Sequence, residues 1–273
     1  MEPTRIAEAA ALLVAAREKR SRIGLLPEAC RPRTVADAHA IQDAVTAMLG
    51  VAVGAFKANL PPVGDPTRAA GDPSTSRAVD TPRTIASGVR APIYAPAIHA
   101  SPARMSAMET PQCGVEGEIA FRFRRDLPWR PTPYTRDDIA AAIDACAAIE
   151  VVTSRFADPD AASPLEKLAD GINNGAFVHG APIKAWQELE LGKLKVTLTV
   201  NGSTVLEQVG GHPTGDPLGI AVTLVEMMRG AGGVKAGQMV TCGSCTGLRY
   251  LKPGDVCGVR FEGLGAVEVM FSV

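Results

Sequence analysis

Two glutamates, Glu116 and Glu118, stand in the largely apolar run 115–123. In an extended strand, successive side chains point to opposite faces, so the two glutamates share one face. The other face carries Val115, Ile119, Phe121 and Phe123. Two neighbouring carboxylates with no basic residue between them repel each other, and the arrangement is costly unless a cation lies between them. The pattern fits either an amphipathic strand with a solvated polar face or a metal site.

Two further residues could join this chemistry, Lys57 and Glu150. Lys57 ends the strand-like run 51–57, and Glu150 opens another, 150–154, after a predicted helix. Lys57 is either a surface lysine or a cation that its strand delivers to a site. Glu150 is either a solvated terminus or a third metal ligand. The spacing alone leaves both pairs of alternatives open.

The elements that must position these residues begin with two helices. Apolar residues at helical spacing predict a first helix over 5–20 and a second over 35–49. Thr34 is a suitable N-cap for the second helix, and Gly50 ends it. The strand that carries Lys57 follows directly.

Two more helices are predicted further along the chain. The first begins after Thr135, a good N-cap, and its buried stripe consists of Ile139, Ile143 and Ala147. The second begins at Asp216-Pro217, where the aspartate caps and the proline takes the first position, and it ends at Gly230. Its inward-facing residues are predicted to be Leu218, Ala221, Leu224, Val225 and Met228.

Strands dominate the C-terminal third. Two alternating runs, 195–200 and 203–206, flank Asn201-Gly202, which is typical of a hairpin with a two-residue turn. Shorter strand-like runs follow at 239–241, 256–261 and 266–271. Strands that cluster after isolated helices, without regular βαβ alternation, predict an α+β fold.

Composition excludes several classes of protein. The chain has 273 residues, 46% of them hydrophobic, which suffices for a sizeable core. A formal net charge of −1 without a basic run argues against a nucleic-acid surface. No uncharged apolar stretch is long enough to span a bilayer, and Glu8 interrupts the N-terminal apolar run, so no signal-peptide pattern is present. We therefore expect a cytoplasmic protein that binds neither nucleic acid nor membrane.

Two stretches allow other interpretations. Cys242 and Cys245 form a C-x-x-C pattern, which suits a redox pair or half of a zinc site. They follow a strand-like run rather than open a helix, and no second ligand pair stands at suitable spacing, which favours small residues in a tight turn. Residues 59–92 hold six prolines and little periodicity. That segment is either a lid over a site or an irregular surface excursion.

Five segments together resemble the 2-keto-4-pentenoate hydratase family, within the fumarylacetoacetate hydrolase-like superfamily. Residues 115–121 are similar to its E-x-E-I-A-F strand, and residues 148–155 to its A-x-E-I-V-D-S-R segment. Residues 34–42 resemble its T-x-x-D-A-Y-x-I-Q, and residues 54–57 its G-W/Y-K. Residues 237–247 resemble its G-D-V-V-L-T-G-S-x-T-G. Each match is short, but all five occur in the family's order and extend over nearly the whole chain.

The resemblance implies that Glu116, Glu118 and Glu150 bind one divalent cation, Mg²⁺ or Mn²⁺. It also implies the mixed β fold of a fumarylacetoacetase C-terminal domain, with a partly open β-roll. Residues 1–50 would then be an N-terminal helical segment that packs on the core, and residues 51–273 the catalytic domain. Because relatives are commonly homo-oligomers, we expect a homo-oligomer, with an enzyme of the same pathway as a further candidate partner.

The activity implied is hydration of 2-hydroxypenta-2,4-dienoate (2-keto-4-pentenoate)-like acids in aromatic-compound catabolism. Such an acid would chelate the cation through its carboxylate and C2 oxygen. Lys57 matches the family's lysine and would handle the proton or charge of that oxygen, with a pKa lowered in a desolvated pocket beside the metal. Gly243 and Ser244 would donate hydrogen bonds to the substrate carboxylate, and Asp170 and Asn173 would bind the substrate.

Departures from the family pattern open two alternatives. Ile93 stands in the segment P-I-Y-A, where the hydratases carry an acidic residue, and isoleucine cannot move protons. Gly171 and Asn173 replace the Asn and Ser of the family's D-N-A-S segment. The loss at Ile93 makes decarboxylation of a 2-oxo-3-hexenedioate (4-oxalocrotonate)-like acid more attractive. A further alternative is a non-catalytic partner subunit of a hydratase–decarboxylase complex.

Overall fold

The described part of the chain comprises residues 1–59 and 88–273 of a computed structural model. It contains five α-helices and thirteen β-strands, arranged as two sheets with a layer of N-terminal helices. Most of the predicted loop 59–92, with its lid or surface-excursion interpretation, lies outside the described residues.

The two N-terminal helices form where the sequence predicts them. Helix α1 runs over Pro3–Glu18 and helix α2 over Val35–Leu49. The Thr34 hydroxyl accepts a hydrogen bond from the Asp37 N–H, and the Asp37 carboxylate accepts from the Thr34 N–H, which completes a capping box. Gly50 ends α2 with a φ of +64°, a backbone conformation that glycine adopts without strain.

These helices pack on the remainder of the chain through a shared apolar cluster. Leu13 of α1 and Ile41 of α2 are buried against Phe156 and Leu168. Leu168 belongs to helix α4, Pro164–Ala169, whose main chain also accepts a hydrogen bond from the Gln42 amide. The N-terminal segment therefore shares a core with residues far along the sequence.

The larger sheet carries the glutamates. Its strands, in spatial order, are β2 (Val89–Tyr94), β1 (Val53–Asn59), β10 (Met239–Ser244), β5 (Gly114–Phe123), β6 (Ile143–Val152), β7 (Asn174–His179) and β3 (Ile98–Ala100). Strand β11, Arg249–Tyr250, pairs with β5 outside this order. The sheet curls so that β2 approaches β7, which gives it a concave inner face.

The smaller sheet packs against the opposite face of β5. Its order is β4 (Ala103–Ser106), β13 (Gly265–Ser272), β12 (Val256–Phe261), β8 (Lys195–Val200) and β9 (Ser203–Val209). Strands β8 and β9 form the predicted hairpin, in which Asn201 and Gly202 have φ values of +51° and +79°. The two sheets approach closely, since a Cβ at Gly117 would lie 2.8 Å from Val259 Cγ1.

The prediction of a helix after Thr135 is correct for its first turn and wrong beyond it. Helix α3 covers only Arg136–Ala140, and Ile143 and Ala147 lie in strand β6 instead. All ten residues of β6 are buried. The sequence of a strand that is covered on both faces is a continuous apolar run. Such a run lacks the alternation that would distinguish a strand from a buried helix.

Helix α5, Pro217–Arg229, matches the prediction in length and in its buried face. The predicted cap is different in detail. Asp216 occupies the N-cap position, but its side chain makes no capping hydrogen bond. It binds Arg136 instead, with carboxylate–guanidinium distances of 2.7 and 2.8 Å, and so ties α5 to α3.

Candidate metal centre

Strand pairing brings the three glutamates to one point on the concave face. Glu116 of β5 lies directly opposite Glu150 of β6, and Glu118 follows two positions along on the same face. One carboxylate oxygen from each residue lies within 4.8 Å of the other two. Like charges directly opposite each other destabilise a sheet, so this arrangement needs a compensating positive charge.

Burial makes the need for positive charge greater. Glu118 and Glu150 are 0% exposed, whereas Glu116 is partly exposed. Burial and then the nearby Glu150 carboxylate raise the pKa of Glu118 to about 8, and burial also raises the pKa of Glu116. Glu118 Oε1 is buried with no hydrogen-bond partner among residues 1–59 and 88–273. Three close carboxylates with an unpartnered buried oxygen fit a hard divalent cation.

Lys57 projects from β1 into the same cluster. Its Nζ lies 2.6 Å from Glu150 Oε2 and 3.6 Å from Glu116 Oε2. Burial alone would lower the pKa of Lys57, but the three carboxylates outweigh it and the pKa lies above its ordinary value. The lowered pKa that the sequence resemblance implies would therefore require the carboxylates' charge to be neutralised first.

Strand β10 holds Glu118 in place. Glu118 Oε2 accepts hydrogen bonds from the Thr241 hydroxyl and from the Gly243 N–H, the latter at 2.8 Å. The resemblance implies that Gly243 donates a hydrogen bond to substrate, but its N–H is already bound to Glu118 Oε2. Thr241 was not predicted at all, because a threonine in an apolar strand carries no signal of its own.

Asn174 holds the other buried carboxylate. Its side-chain amide donates to Glu150 Oε1 at 3.0 Å, and Asn174 itself is 4% exposed. The sequence resemblance pointed to the preceding residue, Asn173, whose buried Oδ1 has no hydrogen-bond partner in the described part of the chain. The register of β7 against β6 decides which of the two asparagines reaches Glu150, and a shift of one residue would exchange them. No pattern in the sequence fixes that register.

The sequence profile of the fumarylacetoacetate hydrolase C-terminal family matches residues 62–271. The chain belongs to this family. It is 33% identical over 159 residues to a 2-keto-4-pentenoate hydratase from Paraburkholderia phymatum, a match that covers 58% of this chain and 60% of that protein. It is 27% identical over 158 residues to a 4-oxalocrotonate decarboxylase from Pseudomonas putida, covering 58% of this chain and 59% of that protein.

These matches span about three fifths of each relative's length. A solved structure of 4-oxalocrotonate decarboxylase from Pseudomonas putida G7, complexed with magnesium and adipate, extends the comparison to the full fold. It superposes with a TM-score of 0.80 at 22% identity and covers 99% of this chain and 98% of its own. The predicted α+β, fumarylacetoacetase-like fold with N-terminal helices is thereby confirmed.

Asp170, predicted to bind substrate, has both carboxylate oxygens engaged within the protein. Oδ1 lies 2.5 Å from Arg155 Nε, and Oδ2 accepts from the Arg155 N–H at 3.0 Å. Arg155 also donates to the Asn174 carbonyl at 2.6 Å. Asp170 is 1% exposed, so this geometry favours a structural role for it beneath Asn174.

Of the remaining positions, Ile93 is consistent with an apolar wall rather than with proton transfer, whereas Ser244 brings a polar side chain to the triad. Ile93 is fully buried in a cluster with Ala55, Ala148 and Phe177. Ser244 lies opposite Glu118 in the β10–β5 pairing, and its buried hydroxyl oxygen has no hydrogen-bond partner in the described part of the chain.

The cysteines form neither the redox pair nor the zinc site that the C-x-x-C pattern allows, which agrees with the tight turn that the sequence favours. All six are free thiols and all are buried. Burial raises the pKa of Cys245 to about 12 and that of Cys242 well above its usual value, which keeps both thiols protonated and unreactive. Among the described residues, the glutamate triad is the cluster with metal-ligand geometry. No helix of the described residues has the length and apolar character that a membrane crossing requires.

Proposed function

We propose that this protein is a divalent-metal-dependent lyase that hydrates 2-hydroxypenta-2,4-dienoate-like acids. The convergence of Glu116, Glu118, Glu150 and Lys57 on one point of the concave face carries the proposal. Relatives named 2-keto-4-pentenoate hydratase support it.

Glu116, Glu118 and Glu150 would hold the cation. Carboxylate-only donors suit a hard ion, either Mg²⁺ or Mn²⁺, and the decarboxylase of similar fold is complexed with magnesium. When bound, such an ion supplies Lewis-acid stabilisation of negative charge on the C2 oxygen of a chelating 2-oxo acid.

Lys57 would move the proton at the substrate's C2 oxygen. Its amino group lies beside the triad and is buried, so once the charge of the carboxylates is neutralised it could lose its own proton and accept the proton of the C2 hydroxyl as the dienol becomes a conjugated ketone. Glu150 orients it through the 2.6 Å contact, and Asn174 in turn fixes Glu150. Proton transfer then occurs at one defined atom.

An apolar floor would receive the hydrocarbon part of the substrate. Ala148 lies opposite Glu118 and Phe177 opposite Glu150 in the strand pairing, so both side chains share the triad's face. Together with Ile93 they form a buried cluster. Such a surface excludes water from one side of a flat dienoate and leaves the other side open to attack.

Decarboxylation of a 2-oxo-3-hexenedioate-like acid is the second candidate function. The fully buried Ile93 offers no group that could activate water, whereas loss of carbon dioxide requires none at that position. A relative named 4-oxalocrotonate decarboxylase supports this alternative.

The two activities are separated by product analysis. Purified protein is incubated with 2-hydroxypenta-2,4-dienoate or with 2-oxo-3-hexenedioate, with Mg²⁺ or with a chelator. Metal-dependent loss of ultraviolet absorbance from the dienoate is the expected result, and release of carbon dioxide from the diacid would assign the protein to the decarboxylases. If neither reaction occurs and Glu118→Gln changes no property of the protein, the result favours the alternative of a non-catalytic partner subunit.

A cytoplasmic location stays a prediction of the sequence composition. A homo-oligomeric assembly, alone or with an enzyme of the same pathway, stays a prediction of the sequence resemblance.

A further inference from the structure

One peptide group of strand β10 is held by side chains rather than by the sheet. The pairing of β10 with β5 shifts register between Thr241 and Ser244, and the pairing of β10 with β1 extends only to Thr241. The Cys242–Gly243 peptide lies in this bulge. Its N–H donates to Glu118 Oε2 at 2.8 Å, and its carbonyl oxygen lies 2.8 Å from His212 Nε2.

The hydrogen bonds of His212 define its tautomer. A carbonyl oxygen only accepts, so Nε2 must carry the proton that it donates to Cys242. The Thr214 N–H only donates, so Nδ1, at 3.3 Å, must be the acceptor. Burial lowers the pKa of His212, which is consistent with this neutral ring. His212 is 7% exposed and has both nitrogens engaged.

The backbone at Gly243 has little rigidity of its own. Its φ is +104°, a conformation that side chains rarely allow, and the Pro213 ring lies 3.6 Å from where a Cβ would be. A glycine peptide outside the ladder can rotate unless something fixes it. His212 supplies that fixation at the carbonyl end of the peptide.

We infer that His212 is a positioning residue for Glu118, acting through the Cys242–Gly243 peptide. The imidazole sets the plane of the peptide, the peptide N–H binds Glu118 Oε2, and Glu118 Oε1 is left free to face a cation. This inference rests on the proposed function, in which Glu118 is a metal ligand. Groups that orient a ligand in this way affect metal affinity without touching the metal.

Two amide variants test the inference as a matched pair. A glutamine at position 212 places its amide near the position of Nε2 and can still donate to the Cys242 carbonyl, whereas the shorter asparagine cannot reach it. Mn²⁺ binding is measured by electron paramagnetic resonance on the full-length protein. We expect His212→Asn to weaken Mn²⁺ binding about 10- to 100-fold and His212→Gln to restore most of the affinity.

His39→Asn is the control. His39 lies on helix α2, outside the sheet that carries the triad, is partly buried, and accepts a hydrogen bond from the backbone N–H of Arg90. This variant should leave the Mn²⁺ affinity unchanged. Equal affinities for the asparagine and glutamine variants at position 212 would overturn the inference.

Hydrogen exchange of the Gly243 amide separates this inference from the proposed function. The amide should exchange slowly in the wild type and in His212→Gln, and faster in His212→Asn, with no metal added. If the wild type binds no Mn²⁺, the proposed function fails, and the exchange rates alone decide whether His212 fixes the peptide. Equal exchange in all three proteins would overturn the inference.

Discussion

The three glutamates of the triad lie in different surroundings. Glu118 is held by two donors from β10, and Glu150 by Asn174 and Lys57. Glu116 is partly exposed, with Lys57 as a distant ion-pair partner at 3.6 Å. The two buried carboxylates are therefore preorganised, and Glu116 is the one that can adjust when a cation enters.

Replacing Glu118 by glutamine should separate metal binding from folding. The amide keeps the shape of Glu118, whose pKa of about 8 leaves its carboxyl largely protonated at neutral pH in the absence of metal, and it cannot repel Glu116 and Glu150. The metal-free variant should therefore melt at the same temperature as the wild type or higher. With Mn²⁺ at a hundred times the wild-type Kd, the wild type should gain about 2.7 kcal/mol of stability and the variant little. Thermal unfolding with and without Mn²⁺ measures both effects. Glu207→Gln, at an exposed ion pair with Lys195, is the control, and a full Mn²⁺ shift in Glu118→Gln would contradict the assignment.

Replacing Lys57 by methionine should lower turnover but should not weaken metal binding. Removal of a positive charge from the triad leaves Mn²⁺ affinity unchanged or increases it, because the lysine competes with the cation for the same carboxylates. Turnover should fall by about 10²- to 10⁴-fold through loss of the proton-transfer group. Calorimetric titration and a steady-state assay give the two values, with Lys195→Met as a surface control. Retained turnover would exclude Lys57 from catalysis.

At the scale of elements, the site depends on strand register. The pairing of β5 with β6 sets Glu116 against Glu150, and the bulge in β10 turns the Gly243 N–H toward Glu118. A slip of one residue between β5 and β6 would move a glutamate to the core face. A slip of β10 against β5 would move the Gly243 N–H away from Glu118. Arg155 and Asp170 lock the end of β6 to the end of α4 and so help to maintain this register.

Asp170→Asn should therefore act on stability. It would leave the Arg155 guanidinium, which is 5% exposed, without its counter-charge. Loss of one partner of a buried pair costs about 3–5 kcal/mol. Urea unfolding should show a loss of this size. Unchanged stability with a raised KM would instead restore the substrate-binding role that the sequence resemblance assigns to Asp170.

Local signals explain which elements the sequence predicts well. Helix α2 has its capping box at Thr34 and its terminal Gly50, and the hairpin has Asn201-Gly202, so each is determined by residues within a few positions. Strand β6 could not be predicted because its burial on both faces comes from the neighbouring layers of the fold.

The candidate site, like the fold, could be predicted only where the signal lies within a few neighbouring residues. Period-two spacing pairs Glu116 with Glu118. Strand ends make Glu150 and Lys57 candidates, but only the resemblance chooses between their alternative roles. Asn174 binds Glu150, and His212 binds the peptide whose N–H donates to Glu118. Both lie far along the chain from these glutamates, and their contacts exist only once the sheet has formed. Long-range hydrogen bonds of this kind leave no local pattern in a single sequence.

At the scale of the whole molecule, the helical layer and the sheets share one interior. Leu13 and Ile41 are buried against Phe156 and Leu168, and Arg17 of α1 donates to the Asp170 carbonyl at 3.0 Å. We therefore expect residues 1–50 and the rest of the chain to unfold together. Calorimetry of the full-length protein should show one transition, with equal calorimetric and van't Hoff enthalpies. Two resolved transitions would show that the helical segment is an independent unit.

Anomalous diffraction from crystals soaked in Mn²⁺ and a 2-oxo acid tests the central claim most directly. The account predicts one manganese peak for each chain, between the carboxylates of Glu116, Glu118 and Glu150, with the acid's carboxylate and C2 oxygen on its open side. A manganese peak elsewhere, or an acid bound away from these carboxylates, would contradict it.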